Sequence, residues 1–175
     1  MKEIEYEFFA LGRQSKDIDW SDWFRLNIRL FEDLKLPITH IIYSHSKRDD
    51  DKWRTFSRMK KKILNDLQSD VLFLDMGFAN VPKNWSIISQ DLTVETMLMI
   101  HHSYTSLSFH CKDKDMMFKH ENNFKELSSS WLNISWSEII EYSGGCGVNY
   151  YGNKKVNSQK MLKHFDYFKI LEKIK

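Results

Sequence analysis

Glu3-Ile4-Glu5-Tyr6-Glu7-Phe8-Phe9-Ala10 alternates cleanly. Ile4, Tyr6 and Phe8 fall on one side of an extended chain, and Glu3, Glu5 and Glu7 on the other. That period of two predicts a half-buried strand with an acidic, solvated outer face. Working outward, residues 20–34 change to a helical period. Trp23, Leu26, Leu30 and Leu34 form one stripe, with Phe24, Ile28 and Phe31 beside it, and Pro37 follows. An amphipathic helix with a wide apolar side is expected there, stopped before the proline. Residues 38–43 are rich in β-branched side chains and read as a second strand. Residues 52–67 read as a second helix, with Trp53, Phe56, Ile63 and Leu67 inward. Residues 71–75 read as a short buried strand. The first half is therefore βαβαβ-like, which implies helices layered on a sheet.

The second half is less regular. Asp91 or Thr93 is positioned to cap a helix running to about His102. Residues 104–111 alternate as a strand, and Met117, Phe124, Leu127 and Trp131 have helical spacing. Ser135 and Glu138 match a capping box and predict a short helix to about Tyr142. Gly144-Gly145 would end that helix, residues 146–151 would form a strand, and residues 158–174 a closing helix. The expectation is an α+β protein: a single globular domain over residues 1–175, with a mixed sheet and helices packed on its faces.

Composition agrees with this. The chain has 175 residues, 42% hydrophobic and 14% aromatic, with two prolines and six glycines. Disordered and collagen-like chains are excluded on those values. Lys and Arg number 26 and Asp and Glu 24, for a net charge of +2. A dedicated nucleic-acid coat protein would be far more basic. The charge is nevertheless uneven: residues 1–150 carry −3 and the last 25 carry +5. The acidic start is unlike a secretory leader, and no apolar run reaches the ~20 residues of a membrane span. A cytoplasmic location is expected, with Cys111 and Cys146 as free thiols. Alanine occurs only at positions 10 and 79, amid many Lys, Asn, Ser and Ile residues. An A/T-rich bacterial gene explains that bias better than helix propensity does.

Catalytic patterns are sparse. Asp70-Val-Leu-Phe-Leu-Asp75-Met-Gly resembles the phosphoacceptor strand of response-regulator receiver domains. Their acidic pair after the first strand is replaced here by Phe8-Phe9-Ala10-Leu11-Gly12. A turn-capping role explains Asp75 more simply. Seven histidines show no H-E-x-x-H or H-x-H spacing, and the two cysteines form no C-x-x-C, so no metal or cofactor is expected. Cys146 lies in Ser-Gly-Gly-Cys-Gly, which lacks the Lys-Ser/Thr ending of a phosphate loop. Arg54, Arg58, Lys61 and Lys62 make a basic stripe that would suit phosphates but equally a solvated helix side. The acidic groups are Glu3, Glu5 and Glu7, then Asp17, Asp19 and Asp22, then Asp49, Asp50 and Asp51. Trp20, Trp85, Trp131 and Trp136 cannot all be assigned to core stripes, and exposed aromatic residues are frequent interface anchors.

In size, composition and lack of catalytic motifs the chain resembles the immunity proteins of bacterial polymorphic-toxin and contact-dependent growth-inhibition systems. The resemblance implies a cytoplasmic antidote, not an enzyme, that binds a cognate toxin domain such as a nuclease and blocks its active site. The expected contacts are Glu3, Glu5, Glu7, Asp49, Asp50 and Asp51, acting on a basic cleft in place of phosphates. Two alternatives stand beside it. One is a small hydrolase or nuclease using His45, Asp49 and Asp75 at the ends of parallel strands. The other is nucleic-acid binding through the basic stripe.

Overall fold

A computed structural model describes residues 4–47, 52–83, 92–143 and 159–164. Its elements in chain order are β1 (Ile4–Gln14), α1 (Trp20–Asp33), β2 (His40–His45), β3 (Arg54–Thr55), α2 (Phe56–Leu67), β4 (Phe73–Asn80), β5 (Val94–Ile100), β6 (Thr105–Cys111), α3 (Lys114–Trp131), β7 (Leu132–Ser143) and β8 (Gln159–His164). The α+β architecture expected from sequence is present. All eight strands join one sheet, in the order β3-β2-β4-β5-β6-β1-β7-β8. Every neighbouring pair is antiparallel.

Two helical crossovers organise this sheet. β1 and β2 point the same way, and α1 joins them across the intervening β6, β5 and β4. β6 and β7 also share a direction, with β1 inserted between them and α3 as the connection. Strand and helix thus alternate as the sequence predicts, but the crossovers straddle other strands, so parallel strands never become neighbours.

The three helices pack on one face. Phe8 of β1 and Phe109 of β6 meet Phe124 of α3, at ring separations of 6.0 and 4.4 Å. Phe78 of β4 meets Phe24 of α1 at 5.7 Å and Phe56 of α2 at 6.3 Å. Trp23 is fully buried; its indole N–H donates to the Met76 carbonyl at 2.9 Å, and its ring lies edge-on to Trp131. Burying such aromatic side chains stabilises the fold by about 2–3 kcal/mol each. Local caps set the helix starts. The Asp19 carboxylate accepts from the Asp22 amide, and Asp113 from the amides of Asp115 and Met116, satisfying donors that have no partner inside the helix.

Several second-half expectations are corrected. The helix foreseen before His102 is strand β5, in which Val94, Thr96 and Leu98 are fully buried and alternate with half-buried Glu95, Met97 and Met99. The capping-box helix at Ser135 is part of β7, which runs the length of β1 with a bulge near Leu11 and Gly12. The closing helix is replaced over Gln159–His164 by β8. The strand expected at residues 146–151 lies outside the described residues. No described helix is long and apolar enough to cross a membrane.

Candidate functional sites on the sheet

Cross-strand register defines what occupies the sheet face opposite the helices. One row across it reads Ser44, Asp75, Met99, Ser106, Leu11, Trp136. A second reads Ala79, Glu95, His110, Glu7, Ile140. Two polar clusters result.

The first cluster sits beside the β5–β6 turn. The Ser44 hydroxyl donates to the Asp75 carboxylate. His101 lies just past β5 and stacks on Tyr104 with ring centroids 4.2 Å apart. Its Nε2 is 3.4 Å from Ser106 Oγ. Burial lowers the pKa of His101, and the charge of Asp75 partly opposes that shift. The imidazole is therefore neutral at pH 7.

The second cluster is acidic. Glu5 and Glu7 are only 6% and 8% exposed. This corrects the solvated outer face expected of β1, because that strand is internal to the sheet and pairs on both edges with β6 and β7. His110 Nε2 lies 3.2 Å from the Glu5 carboxylate, an ion pair when the ring is protonated. Glu95 follows across the ladder. Its carboxyl is surrounded by protein although the residue as a whole is half-buried, and that burial raises its pKa against the opposing pull of His110. Glu138 is buried on the same face. Among the described residues, no group of three or more His, Cys, Asp or Glu side chains is arranged to hold a metal ion.

The hydrolase constellation of His45, Asp49 and Asp75 does not assemble as foreseen. β2 and β4 are antiparallel neighbours, and His45 turns to the helix face. There its ring packs on Tyr43 and Phe73, and its Nε2 lies 3.6 Å from Asp66 of α2. Asp75 is on the opposite side of the sheet, near the start of β4 rather than at its carboxyl end. Asp49, with Asp50, Asp51 and Glu3, lies outside the described residues. His101 and Ser106 went unnoticed in the sequence because nothing in their spacing announces that a turn and a neighbouring strand bring them to Asp75. Of the basic stripe, Arg58, Lys61 and Lys62 are exposed on α2, while Arg54 belongs to the edge strand β3. Trp131 proves to be core, and Trp20 and Trp136 are half-buried against Phe73 and Phe9. Trp85 lies outside the described residues.

A third surface lies at one end of the sheet. The Leu72 carbonyl accepts from the Ser46 amide, the Ser46 hydroxyl accepts from the Leu72 amide, and Lys47 Nζ donates to the Asp70 carbonyl. Leu72 and Leu74 stand there 73% and 45% exposed, on either side of buried Phe73. The ladder between β2 and β4 is irregular at this point: Ser44 opposes Asp75 and His45 opposes Phe73, leaving Leu74 unopposed. A bulge of this kind re-aims the extra side chain away from the regular pleat.

A groove of about 470 Å³ also runs between α1 and α3. Its floor is formed by Leu26, Leu30, Phe124, Leu127 and Trp131, and its rim mixes Lys16, Arg25 and Arg29 with Asp22 and Asp33. Arg25 is already held by Asp22 at 2.5 Å. Comparison with known proteins adds no relative: no protein family, no characterised protein and no solved structure matches this chain.

Proposed function

We propose that this chain is a binding protein of the immunity type, which docks on a cognate bacterial toxin domain, such as a nuclease, and covers its active site. The observation that carries this reading is the pair of exposed leucines, Leu72 and Leu74, beside Asp70 at the sheet end. Adjacent exposed aliphatic side chains held on a rigid ladder suit the desolvated centre of an interface. Asp49, Asp50 and Asp51 follow Lys47 closely in sequence, and Lys47 is tied to Asp70. An aliphatic centre with Asp70 beside it, in a chain whose acidic run Asp49 to Asp51 lies close in sequence to Lys47, suits the basic cleft of an enzyme that cuts nucleic acid. The acidic groups would speed encounter and the leucines would slow dissociation. Glu5 and Glu7, being buried, support the sheet rather than touch the partner.

The test uses any toxin-like domain that the locus of this gene encodes, with binding followed by calorimetry. Changing Leu72 and Leu74 together to Asp is expected to weaken the complex at least tenfold, since each buried leucine contributes about 1.5–3 kcal/mol. Reversing Asp49, Asp50 and Asp51 to Lys is expected to slow association at low salt and to have less effect at high salt. Full affinity in the leucine variant would exclude this surface. A locus with no toxin-like reading frame, and no toxin that the chain neutralises, would remove the immunity reading itself.

A further inference from the structure

The cluster beside the β5–β6 turn has a chemistry that the binding role does not use. Asp75 and Ser106 flank Met99 in one row of the sheet, and His101 follows Met99 by two residues. A side chain two positions along lies diagonal to both of Met99's cross-strand neighbours, a separation that an aromatic ring can span. The ring of His101 reaches Ser106, its Nε2 standing 3.4 Å from the hydroxyl oxygen. A contact of that length between nucleophile and base is usual before substrate binds and tightens afterwards.

We propose that Ser106 is a nucleophile activated by His101, that Asp75 positions this base, and that the site accepts the acyl group of a carboxylic ester. In its tautomer protonated on Nδ1, neutral His101 accepts the Ser106 proton on Nε2 as Oγ adds to the ester carbonyl carbon. The bond from that carbon to the alcohol oxygen then breaks, and the departing alkoxide takes the proton from His101. An acyl group remains on Ser106, and water attacks it with His101 again as base, releasing the acid. The Asp75 carboxylate accepts from the hydroxyl of Ser44, and its charge favours the imidazolium that forms in each step. Leu11 and Met99, half-buried on either side of Ser106 in the row, supply an apolar surface for the acyl chain.

The test is incubation of the full chain with a fluorophosphonate, whose phosphorus takes Ser106 Oγ and loses fluoride, followed by peptide mass mapping. An adduct on Ser106 is expected, with the same residue acylated by p-nitrophenyl butyrate as p-nitrophenolate is released. Ser106→Ala abolishes both reactions, and Ser108→Ala, on the same face one row away, leaves them unchanged. His101→Gln slows labelling at least tenfold at pH 7 while circular dichroism reports an intact fold. Asp75→Asn slows labelling and moves the imidazole titration of His101, followed by NMR, to lower pH. Absence of an adduct on Ser106, or labelling at an undiminished rate in folded His101→Gln, overturns the proposal. The toxin-binding reading is independent of it, since Ser106→Ala is expected to leave that affinity unchanged.

Discussion

Asn27 is polar, fully buried and near the middle of α1. Its amide donates to the Trp23 carbonyl at 2.9 Å, and its carbonyl oxygen accepts from the hydroxyl of fully buried Thr96 in β5. Neither group has an alternative in water. Removing one partner therefore leaves the other unsatisfied, at about 1–3 kcal/mol, whereas removing both is nearly neutral. Asn27→Leu is expected to lower unfolding stability by that amount, and Asn27→Leu with Thr96→Val to recover most of it; urea denaturation of the single and double variants checks the coupling. His120 poses the opposite problem. It is 4% exposed on α3, edge-on to Phe109, and neither ring nitrogen has a hydrogen-bond partner. Burial lowers its pKa, Lys119 lowers it further, and Asp33 opposes the shift. A lowered pKa means that the unfolded chain takes up the proton first. The stabilising contribution is then complete above the unfolded value of about 6.5 and is lost as pH falls below it. His120→Leu should flatten stability between pH 7 and 5, measured as the urea midpoint; an unchanged slope would assign acid lability to other groups. Cys111 is simpler. Burial pushes its thiol up to about 12, so it stays protonated and resists alkylation until the protein unfolds.

Elements whose two faces meet different surroundings were legible in the sequence. α1 shows a stripe because Trp23, Phe24, Leu30 and Phe31 are buried while Asp22, Arg25 and Arg29 face water. β5 and β7 were misread because both of their faces are partly buried, which removes the polar half of the alternation. In β5, Met97 and Met99 are only half-exposed, and Met and Leu carry strong helix propensity. In β7, Ser135 and Glu138 imitate a helix cap, yet Glu138 is buried on the sheet, and the long ladder with β1 outweighs a local signal worth about 1 kcal/mol. The same ladder explains Gly12. A Cβ there would stand 2.4 Å from the Asn133 carbonyl oxygen, next to the β1–β7 bulge. A Cβ on Gly77 would meet mainly the flexible end of Met97, although the Thr96 carbonyl is 2.9 Å away. Backbone yields less than a methionine terminus. Gly12→Ala is therefore expected to cost more than Gly77→Ala, about 1–3 kcal/mol for the former, by thermal unfolding. The candidate site was less legible than the fold. Asp75 stood out, but its partners come from a turn and a strand 26 to 31 residues away in sequence.

The whole molecule inherits its cooperativity from the position of β1. The first strand made is placed between β6 and β7, so Phe8 pairs with Phe109 on one side and Ile139 on the other. Its aromatic contact, Phe124, is equally remote. The first half of the chain holds two helices and four strands, but β4 lacks β5 there and β1 has no ladder at all. Trp23 of α1 likewise packs on Trp131, at the far end of α3. Hydrophobic stripes in α1 and α2 would then cover only part of a sheet, with β1 unpaired. Loop closure over a hundred residues precedes any gain from those contacts, which favours slow folding of the chain as one unit. A fragment of residues 1–83 is therefore expected to give narrow amide dispersion by NMR and rapid proteolysis, while the full chain unfolds in a single transition seen alike by tryptophan fluorescence and circular dichroism. A folded, protease-resistant 1–83 fragment would mean that β1 finds another partner. The split crossovers would then be two units laid side by side rather than one interlocked sheet.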